Sequence, residues 1–485
     1  MQITMNDQEQ NQLAPGGFCH PVNEQHKGFL LALVLLMSPQ IWAAQTNLGS
    51  FGQTQLQRDT GDAVQITCGG FIAAEADPNT PLFVTCGAMV HTANDLAGSG
   101  NATNSLGLSE DELAASLQEI ATEEFAATES MANEISNSRM TPVMSRLLEL
   151  RGGATGFSML GLQPGYVAES LAANGWATSS GMRGGGAGDD NPGNALGGFI
   201  NGSYGTGDRD STNRADGFEF DSYDLMVGFD YRLGSDLVLG AALNYYDVDS
   251  DFDKSATVSG GGIDADGWGL SVYATWYQDN FYFDAIASVA QSDYDVQRAI
   301  FIPNNNAGGS AITETAKGSP ESDDYTFSIG GGYNFNRGAL DYGPYFRASY
   351  SNVNMDTYQE TGAETSGLNL RVNGEEWESL TTVVGAQFSY AMSHDFGVLL
   401  PNARIGWVHQ FENDAVEMTA VYVDDPRNNT LRATTDEADE DYAELSLGFS
   451  AVFKGGMQGF FNYETILGFD DLTSHLFTVG LRSEF

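Results

Sequence analysis

The sequence predicts an all-β fold, a twelve-stranded antiparallel transmembrane β-barrel over residues 195–485. A small N-terminal mixed α/β module and a helical, Gly-rich linker precede it. Three observations predict this fold: strand-length segments that alternate apolar and polar residues, links that alternate between short and long, and an aromatic residue that ends the last amphipathic strand.

The alternating segments begin at residue 195. A representative face consists of every second residue in one segment: Leu237, Leu239, Ala241, Leu243 and Tyr245. Side chains alternate across a strand, so these residues share one face. In a transmembrane barrel that face contacts lipid and the other faces a polar lumen.

The links between the predicted strands are sorted by length. The strands are predicted near 196–207, 221–232, 236–247, 266–277, 280–294, 324–336, 342–356, 377–392, 396–411, 440–454, 457–467 and 475–485. Tight turns near residues 234, 279, 338, 395 and 455 alternate with the long links 208–220, 248–265, 295–323, 357–376 and 412–439. Short periplasmic turns and long outer loops are typical of a membrane barrel.

Aromatic residues near the strand ends predict two girdles at the membrane interfaces. The short-turn girdle is predicted to contain Tyr231, Trp276, Tyr277, Phe281, Tyr333 and Phe335. The opposite girdle is predicted to contain Tyr245, Tyr246, Tyr294, Trp407 and Phe411.

The first 44 residues are predicted to be a secretory signal peptide. The apolar run 29–37 follows Lys27 and precedes small residues, with cleavage expected after Ala43 or Ala44. The run is too short for a membrane-spanning helix, which needs about 20 residues.

Residues 45–107 are predicted to form a small passenger module. Two short strands, at 64–68 and 82–86, would form a hairpin-like unit. Cleavage of the leader removes Cys19 and leaves two thiols, Cys68 and Cys86, which we expect to pair in an exported chain. The alternative, a metal site, would need further ligands, and only His91 is close.

Residues 108–194 are predicted to be a helical and Gly-rich linker. Ser109 and Glu112 form a capping box that starts one helix. Thr141 is expected to cap a second helix whose first residue is Pro142. Two interpretations stay open for these helices: a helical hairpin or stalk, and a helix that threads a pore.

The charge balance restricts the partners. The formal net charge is −45 and Lys and Arg total only 20, which argues against nucleic acid as a partner. The segment 247–253 resembles a calcium ladder but lacks the Gly and Glu of an EF-hand. It is interpreted either as a solvated rim or as a weak divalent site. Divalent ions could also bridge such acidic loops to lipopolysaccharide phosphates.

No catalytic residue, metal site or cofactor site is predicted. The sequence has no G-x-S-x-G and no H-E-x-x-H motif. His91 is the one histidine between the predicted leader and the barrel, and no serine motif accompanies it. The chain is therefore not expected to be an enzyme.

The barrel segment resembles the autotransporter β-domain family of type V secretion. The resemblance is carried by residues 223–243 (YDLMVGFDYRLGSDLVLGAAL), residues 266–276 (DGWGLSVYATW) and the terminal Phe485, and it covers roughly 195–485. It implies a twelve-stranded barrel that exports an N-terminal passenger and keeps a helix in its lumen. That helix would lie within 109–151 or 166–176.

The resemblance also implies insertion by the outer-membrane barrel assembly machinery. Thr478, Gly480 and Phe485 fit the terminal recognition pattern of the family, whereas Ser483 departs from it. The expected passenger is much shorter than the long β-helix of many family members. Some relatives cut their passenger at an Asn of the lumenal helix, so Asn133 and Asn137 are candidates for self-cleavage.

The functional prediction is an outer-membrane autotransporter, a monomeric barrel surrounded by outer-membrane lipid and lipopolysaccharide. It would anchor, and translocate, a short passenger with an interaction or adhesion role. The main alternative is a porin-like channel whose N-terminal module stays in the periplasm. A third alternative, an enzyme passenger, would need a nucleophile.

Overall fold

The computed structural model describes most of the chain after the predicted leader. The described residues are 47–99, 102–121, 127, 131, 139–148, 150 and 196–484, without 235, 256–257, 413 and 454–456. The predicted signal peptide, the Gly-rich linker from residue 151 with the candidate helix 166–176, Asn133, Asn137 and Phe485 lie outside the described residues.

The described part of the chain contains three α-helices with defined bounds, further helical residues chiefly at 139–148 and 150, two 3₁₀ turns and nineteen strands. The helices are α1 (Gln55–Ala73), α2 (Pro81–Leu96) and α3 (Glu110–Gln118), and the 3₁₀ turns are Leu48–Phe51 and Ala102–Asn104. The strands are β1 (Leu196–Arg209), β2 (Phe218–Leu233), β3 (Leu237–Phe252), β4 (Gly261–Gln278), β5 (Phe281–Ile302), β6 (Ile312–Gly318), β7 (Glu321–Tyr333), β8 (Phe335–Arg337), β9 (Leu340–Met355), β10 (Tyr358–Gln359), β11 (Leu370–Val372), β12 (Glu375–Tyr390), β13 (Met392–His394), β14 (Gly397–Gln410), β15 (Glu417–Tyr422), β16 (Thr430–Thr434), β17 (Asp441–Phe453), β18 (Gln458–Leu467) and β19 (Leu472–Glu484).

Twelve of these strands close into an antiparallel barrel, as predicted. Around the barrel they run β1-β2-β3-β4-β5-β7-β9-β12-β14-β17-β18-β19, and β19 pairs again with β1. The short strands β6, β8 and β13 extend the sheet beside β5, β9 and β14. No helix in the described part of the chain is both long and apolar enough to cross a bilayer.

The barrel wall is apolar on its outside, which is the arrangement that lipid requires. On β2, Leu225 and Phe229 face outward with 52% and 60% of their surface exposed. Their neighbours Met226 and Asp230 face the lumen and are 0% and 4% exposed. The predicted face at 237–245 is likewise the outward face of β3.

The predicted girdles are correct for the outward aromatic residues and wrong for three others. Tyr231, Trp407 and Phe411 are exposed on the outer wall near the strand ends. Tyr246 and Tyr294 instead point inward and are almost completely buried, and the half-buried Tyr277 packs against the cluster inside the barrel. Each lies one position out of phase with the lipid-facing residues, and period two decides the face.

Several strands continue beyond the predicted membrane segments at the long-loop end. β3 continues to Phe252 and β5 to Ile302. Above the membrane-facing band, β10, β11, β15 and β16 form a second, four-stranded sheet within the long links. We call it the outer sheet. The sequence patterns did not predict it, because its strands are only two to six residues long.

The two strands predicted at 64–68 and 82–86 are wrong, since both segments are helical. In α1, Val64, Cys68 and Phe71 are buried at positions spaced by four and three residues, which is the period of a helix. A second capping box, formed by Thr54 and Gln57, starts this helix. In its described residues the module is therefore helical rather than mixed α/β.

The capping box predicted for α3 is confirmed. The Ser109 hydroxyl accepts the Glu112 backbone N–H, and the Glu112 carboxylate accepts the Ser109 backbone N–H at 2.8 Å. The N-cap predicted at Thr141 is wrong, because Arg139 and Met140 are already helical. Pro142 therefore lies within a helical segment rather than at its first position.

Candidate functional site

The barrel lumen contains a helical segment, residues 139–148 and 150, which we call the lumenal segment. Its apolar side consists of Met140, Val143, Leu147 and Leu150. These side chains form one buried cluster with lumen-facing residues of β1 to β5: Phe199, Met226, Val238, Ala242, Tyr273 and Ile286. The sequence left two interpretations open for both linker helices: residues 139–150 lie inside the pore, whereas α3 packs at the long-loop end outside it.

Two arginines fix the lumenal segment to the barrel wall. Arg139 pairs with Asp324 on β7 at 2.5 Å, and Arg146 pairs with Asp230 on β2. All four side chains are at most 4% exposed. The Arg482 guanidinium lies 3.8 Å from the same Asp230 carboxylate. A buried carboxylate is tolerated only when it is paired, so these contacts specify where the segment lies.

The positions of the ion pairs give the direction of the lumenal segment. Asp324 lies near the long-loop end of β7, and Asp230 lies near the short-turn end of β2. The segment therefore runs from the long-loop end into the barrel, toward the end where β1 begins.

The described residues between 47 and 121 form a helical unit at the long-loop end, which we call the cap. The disulfide Cys68–Cys86 joins α1 to α2, with the two Cα atoms 5.8 Å apart. Both cysteines are 1% exposed. The predicted pairing of these two thiols is thus present in the structure.

The cap shares its hydrophobic core with the barrel. One buried cluster contains Leu82 and Met89 of the cap, Tyr246 of the barrel and Leu370 of the outer sheet. Apolar surface is therefore buried on both sides of the boundary, and such burial contributes about 25 cal/mol per Å². The cap is a docked part of the fold rather than a separate module.

Polar contacts fix the orientation of the cap. The Thr85 hydroxyl donates to the Ser366 carbonyl oxygen at 2.9 Å. The Arg427 guanidinium donates to the Ala73 carbonyl oxygen, which ends α1, at 2.8 Å. The Asn305 backbone N–H donates to the carbonyl oxygen of Leu106 at 2.9 Å.

Two glutamates of the cap are perturbed in opposite directions. Burial raises the pKa of Glu119, whose carboxylate accepts the Ser259 hydroxyl at 2.6 Å and the Phe301 backbone N–H at 3.0 Å. The Ser109 backbone N–H, followed by the Asn305 side-chain amide, lowers the pKa of Glu112. Glu119 comes directly after α3, where the chain leaves the cap.

The acidic segment 247–253 continues β3 above the membrane-facing band. Asp249 lies directly opposite Asp264 of β4, and Asp247 lies opposite Asp266. Asp249, Asp251, Asp264 and Asp266 are exposed. This arrangement fits the interpretation as a solvated rim, because exposed carboxylates are hydrated and screened by salt.

A histidine and two carboxylates at the outer rim could supply three ligand atoms to a cation. The His409 Nδ1 atom lies 3.0 Å from the Asp441 carboxylate, and its Nε2 atom lies 3.7 Å from that of Glu440. Both carboxylate side chains are more than half exposed. The ring also contacts Trp407 in a tilted arrangement and Phe411 edge-on, which gives it a structural role in the rim.

The residues predicted for the terminal recognition pattern lie on β19, at the seam that closes the barrel. The Thr478 hydroxyl lies 3.0 Å from that of Ser203 on β1 and is buried. Gly480 packs against the ring of Phe460 on β18. Their role as a signal to the assembly machinery stays a prediction.

Sequence reasoning missed the residues that fix the lumenal segment. With only 20 Lys and Arg in 485 residues, two arginines within an apolar helical stretch were a usable signal. A charged residue on an otherwise apolar face requires a buried partner.

A family model described as "Autotransporter beta-domain" matches residues 198–464, more than half of the chain. Outer membrane protein A of Rickettsia conorii is 24% identical over 287 residues, which covers 58% of this chain and 14% of that protein. Esterase EstA of Pseudomonas aeruginosa is 25% identical over 261 residues, which covers 52% of this chain and 37% of that protein. The chain thus spans less than half the length of either relative.

Two solved structures are also similar. The translocator domain of autotransporter NalP from Neisseria meningitidis has a TM-score of 0.46 and 17% identity, and the match covers 61% of this chain and 90% of that chain. The transport unit of the autotransporter AIDA-I from Escherichia coli has a TM-score of 0.40 and 15% identity, with 66% and 98% covered.

Proposed function

Because this chain belongs to the autotransporter β-domain family, we propose that its outer-membrane barrel exports a short N-terminal passenger and retains it as a docked cap. The single observation that carries the proposal is the continuous core between the cap and the long-loop end of the barrel. In outer-membrane barrels the long loops face the exterior and the short turns face the periplasm.

The path of the chain supports the same proposal. Strand β1 begins at the short-turn end, and the lumenal segment is fixed inside the barrel by two buried ion pairs. The cap lies beyond the other end. A chain that runs from the cap through the lumenal segment to the start of β1 would cross the membrane inside the barrel.

The proposed domain organisation is a leader at 1–44, a passenger at 45–107, a linker at 108–194 and a barrel at 195–485. The contacts of α3 and Glu119 with the outer loops extend the docked cap beyond the passenger boundary, as far as residue 121. The lumenal segment belongs to the linker.

The proposed role of the cap is interaction rather than catalysis. The barrel family is mainly non-enzymatic, although one distant relative is an esterase. A docked cap offers a fixed surface composed of exposed faces of α1 and α2, the outer sheet and the acidic rim. We infer no nucleic-acid partner, since the net charge is −45.

The proposed partners in the envelope follow from the barrel surface. The outward residues Val479 and Leu481 of β19 are 56% and 53% exposed, which suits contact with outer-membrane lipid. The acidic rim could bind lipopolysaccharide phosphates through divalent ions. The assembly machinery would recognise the terminal strand through Thr478, Gly480 and Phe485, and the closed barrel would function as a monomer.

An epitope tag at two matched positions tests the orientation. Gly98 in the cap and Gly338 in a tight turn both have positive φ and open space around the Cα, so each site accommodates an insertion. On intact cells, antibody should label the tag at Gly98 and leave the tag at Gly338 unlabelled until the outer membrane is permeabilised. The reverse pattern, or labelling of neither tag before permeabilisation, would favour the porin-like alternative with a periplasmic module.

A further inference from the structure

The lumen is divided unequally by the lumenal segment. The segment packs against β1 to β5, and its opposite side borders two cavities. The upper cavity, of about 250 Å³, lies toward the long-loop end and is lined by Met140, Thr141 and Met144 of the segment. The lower cavity, of about 40 Å³, lies beside Met144 and Leu147. Both cavities share Met144 and Arg347 in their walls.

The two cavities are separated by side chains that cross the lumen. Arg347 on β9 pairs with Glu444 on β17 at 2.6 Å, although β12 and β14 lie between these strands in the wall. Neighbouring strands are about 4.8 Å apart, so the two residues are three strand intervals apart along the wall. Their side chains therefore meet across the interior of the barrel. The Tyr345 hydroxyl donates to the same Glu444 carboxylate at 2.9 Å.

The same arginine reaches the lumenal segment. One guanidinium nitrogen of Arg347 lies 3.2 Å from the Met144 sulfur, while the other contacts Glu444. The contact closes the space between the wall and the segment at this level. A second crossing pair, Arg404 on β14 with Glu464 on β18 at 2.6 Å, lies beside it.

The upper cavity opens to solvent and is acidic. Among its lining residues, Glu437 is exposed and Asp436, Asp439 and Asp471 are half-buried. Its other ionisable lining groups include two arginines and the crossing carboxylates Glu444 and Glu464. The surplus of carboxylates concentrates cations at this mouth and repels anions, because a cleft lined by one sign of charge focuses the field.

We propose that the barrel contains a cation-preferring passage between the lumenal segment and the wall strands from β9 to β18. The Arg347–Glu444 ion pair closes this passage in the structure. The occupants of the passage are small hydrated monovalent cations. The lumenal segment would stay fixed to β2 and β7 while the passage opens, because neither of its ion pairs, Arg139–Asp324 and Arg146–Asp230, involves Arg347 or Glu444.

The test uses the purified full-length protein in planar lipid bilayers, with potassium chloride on both sides. The unaltered protein should show low conductance, and Arg347→Ala should raise it several-fold. A matched control, Arg371→Ala, removes a half-buried arginine of the outer sheet that bonds to Asn428, and should leave the conductance unchanged. A heat-modifiable shift on a gel confirms that each barrel is folded.

Two further measurements distinguish loss of the Arg347–Glu444 ion pair from non-specific disruption of the barrel. The double variant Arg347→Glu with Glu444→Arg restores an ion pair with the charges exchanged and should restore low conductance. In a salt gradient, the open Arg347→Ala barrel should show a reversal potential that favours potassium, and Asp436→Asn with Asp439→Asn should weaken that preference. A folded Arg347→Ala barrel that conducts no more than the Arg371→Ala control would overturn the proposal. High conductance in the unaltered protein, or anion preference in the open variant, would do the same.

Discussion

The barrel wall places its apolar residues on the outside, whereas the cap places them in its core. On β3 the lipid-facing Leu243 is 50% exposed and the neighbouring lumenal Asn244 is 1% exposed. In the cap, Leu113 and Met89 are completely buried. The wall contacts lipid, whereas the cap is placed in water, so the same residue type belongs on the outside of one and in the core of the other. Exposure of a leucine therefore has opposite meanings in the two regions.

The largest effect is expected at the buried charges that fix the lumenal segment to the barrel wall. Among the residues that the structure describes, Arg146→Ala leaves the Asp230 carboxylate, which is 4% exposed, with the more distant Arg482 as its ion-pair partner. Loss of one partner of a buried pair costs about 3–5 kcal/mol. Urea unfolding of the purified barrel in detergent micelles measures the loss.

The matched control for Arg146 is an exposed ion pair. Arg432 pairs with Glu417 on the outer sheet, and both side chains are at least half exposed. Arg432→Ala should cost about 0–1 kcal/mol, as is usual for surface pairs. Equal losses for the two substitutions would show that the lumenal pair is not needed to hold the segment.

A leucine truncation compares the two regions directly. Leu113→Ala opens a cavity in the cap core and should reduce the stability of the docked cap by about 2–5 kcal/mol. Leu243→Ala on the lipid face removes contact area without a cavity and should cost about 1 kcal/mol, in proportion to the area lost. Limited proteolysis of the folded protein reports on the cap, and the heat-modifiable gel shift reports on the barrel. A larger effect at Leu243 would contradict the proposed placement in lipid.

Removal of the disulfide should lower the stability of the cap and leave the stability of the barrel unchanged. Cys68 and Cys86 are 18 residues apart in sequence, and closing a loop of this length stabilises by about 3 kcal/mol. The double variant Cys68→Ser with Cys86→Ser should make the cap more sensitive to protease while the barrel keeps its gel shift. Loss of the shift would mean that the barrel depends on the cap for its own folding.

The smallest expected effect is on the pH dependence of cap docking. The pKa of Glu119 is raised by burial, so folding favours its neutral form, and that contribution is lost as the pH rises from the ordinary pKa through the folded one. The pKa of Glu112 is lowered, so its contribution is present above the ordinary pKa and lost as the pH falls through the folded one.

The matched variants separate these two groups. Glu119→Gln should remove the decline in cap stability on the alkaline side of the ordinary glutamate range, and Glu112→Gln should remove the decline on its acidic side. Protease resistance of the cap measured from pH 3 to 8, roughly the range over which carboxylates titrate in proteins, shows both effects. An unchanged profile in Glu119→Gln would mean that this carboxyl is not perturbed by burial.

The barrel could be predicted from sequence because lipid and lumen impose period two along every strand. The predicted strand at 342–356, for example, corresponds to β9 at Leu340–Met355. Links of alternating length then fixed the orientation of each strand. The long strand extensions above the membrane were underestimated, because their outward residues change from apolar to acidic.

The cap could not be predicted in the same way. The windows 64–68 and 82–86 contain β-branched residues that favour strands, and they are too short to show a helical period. The partners of the lumenal segment depend on contacts between residues far apart in the chain: Arg146 and Asp230 are 84 residues apart. No local pattern identifies such a pair.

One cross-linking measurement on intact cells tests the central claim, that the cap is outside the cell and docked on the outer sheet side of the barrel. Thr85→Cys with Ser366→Cys places two thiols where a hydroxyl now donates to a carbonyl oxygen, and a protease site inserted at Gly98 separates the cap helices α1 and α2 from the barrel. The control, Val84→Cys with Ser366→Cys, uses an exposed neighbour that is 57% exposed. We predict that added protease cuts both variants on intact cells, and that the fragment stays attached under non-reducing conditions only in the Thr85 variant. Cutting that requires permeabilised cells, or release of the fragment from both variants, would contradict the claim.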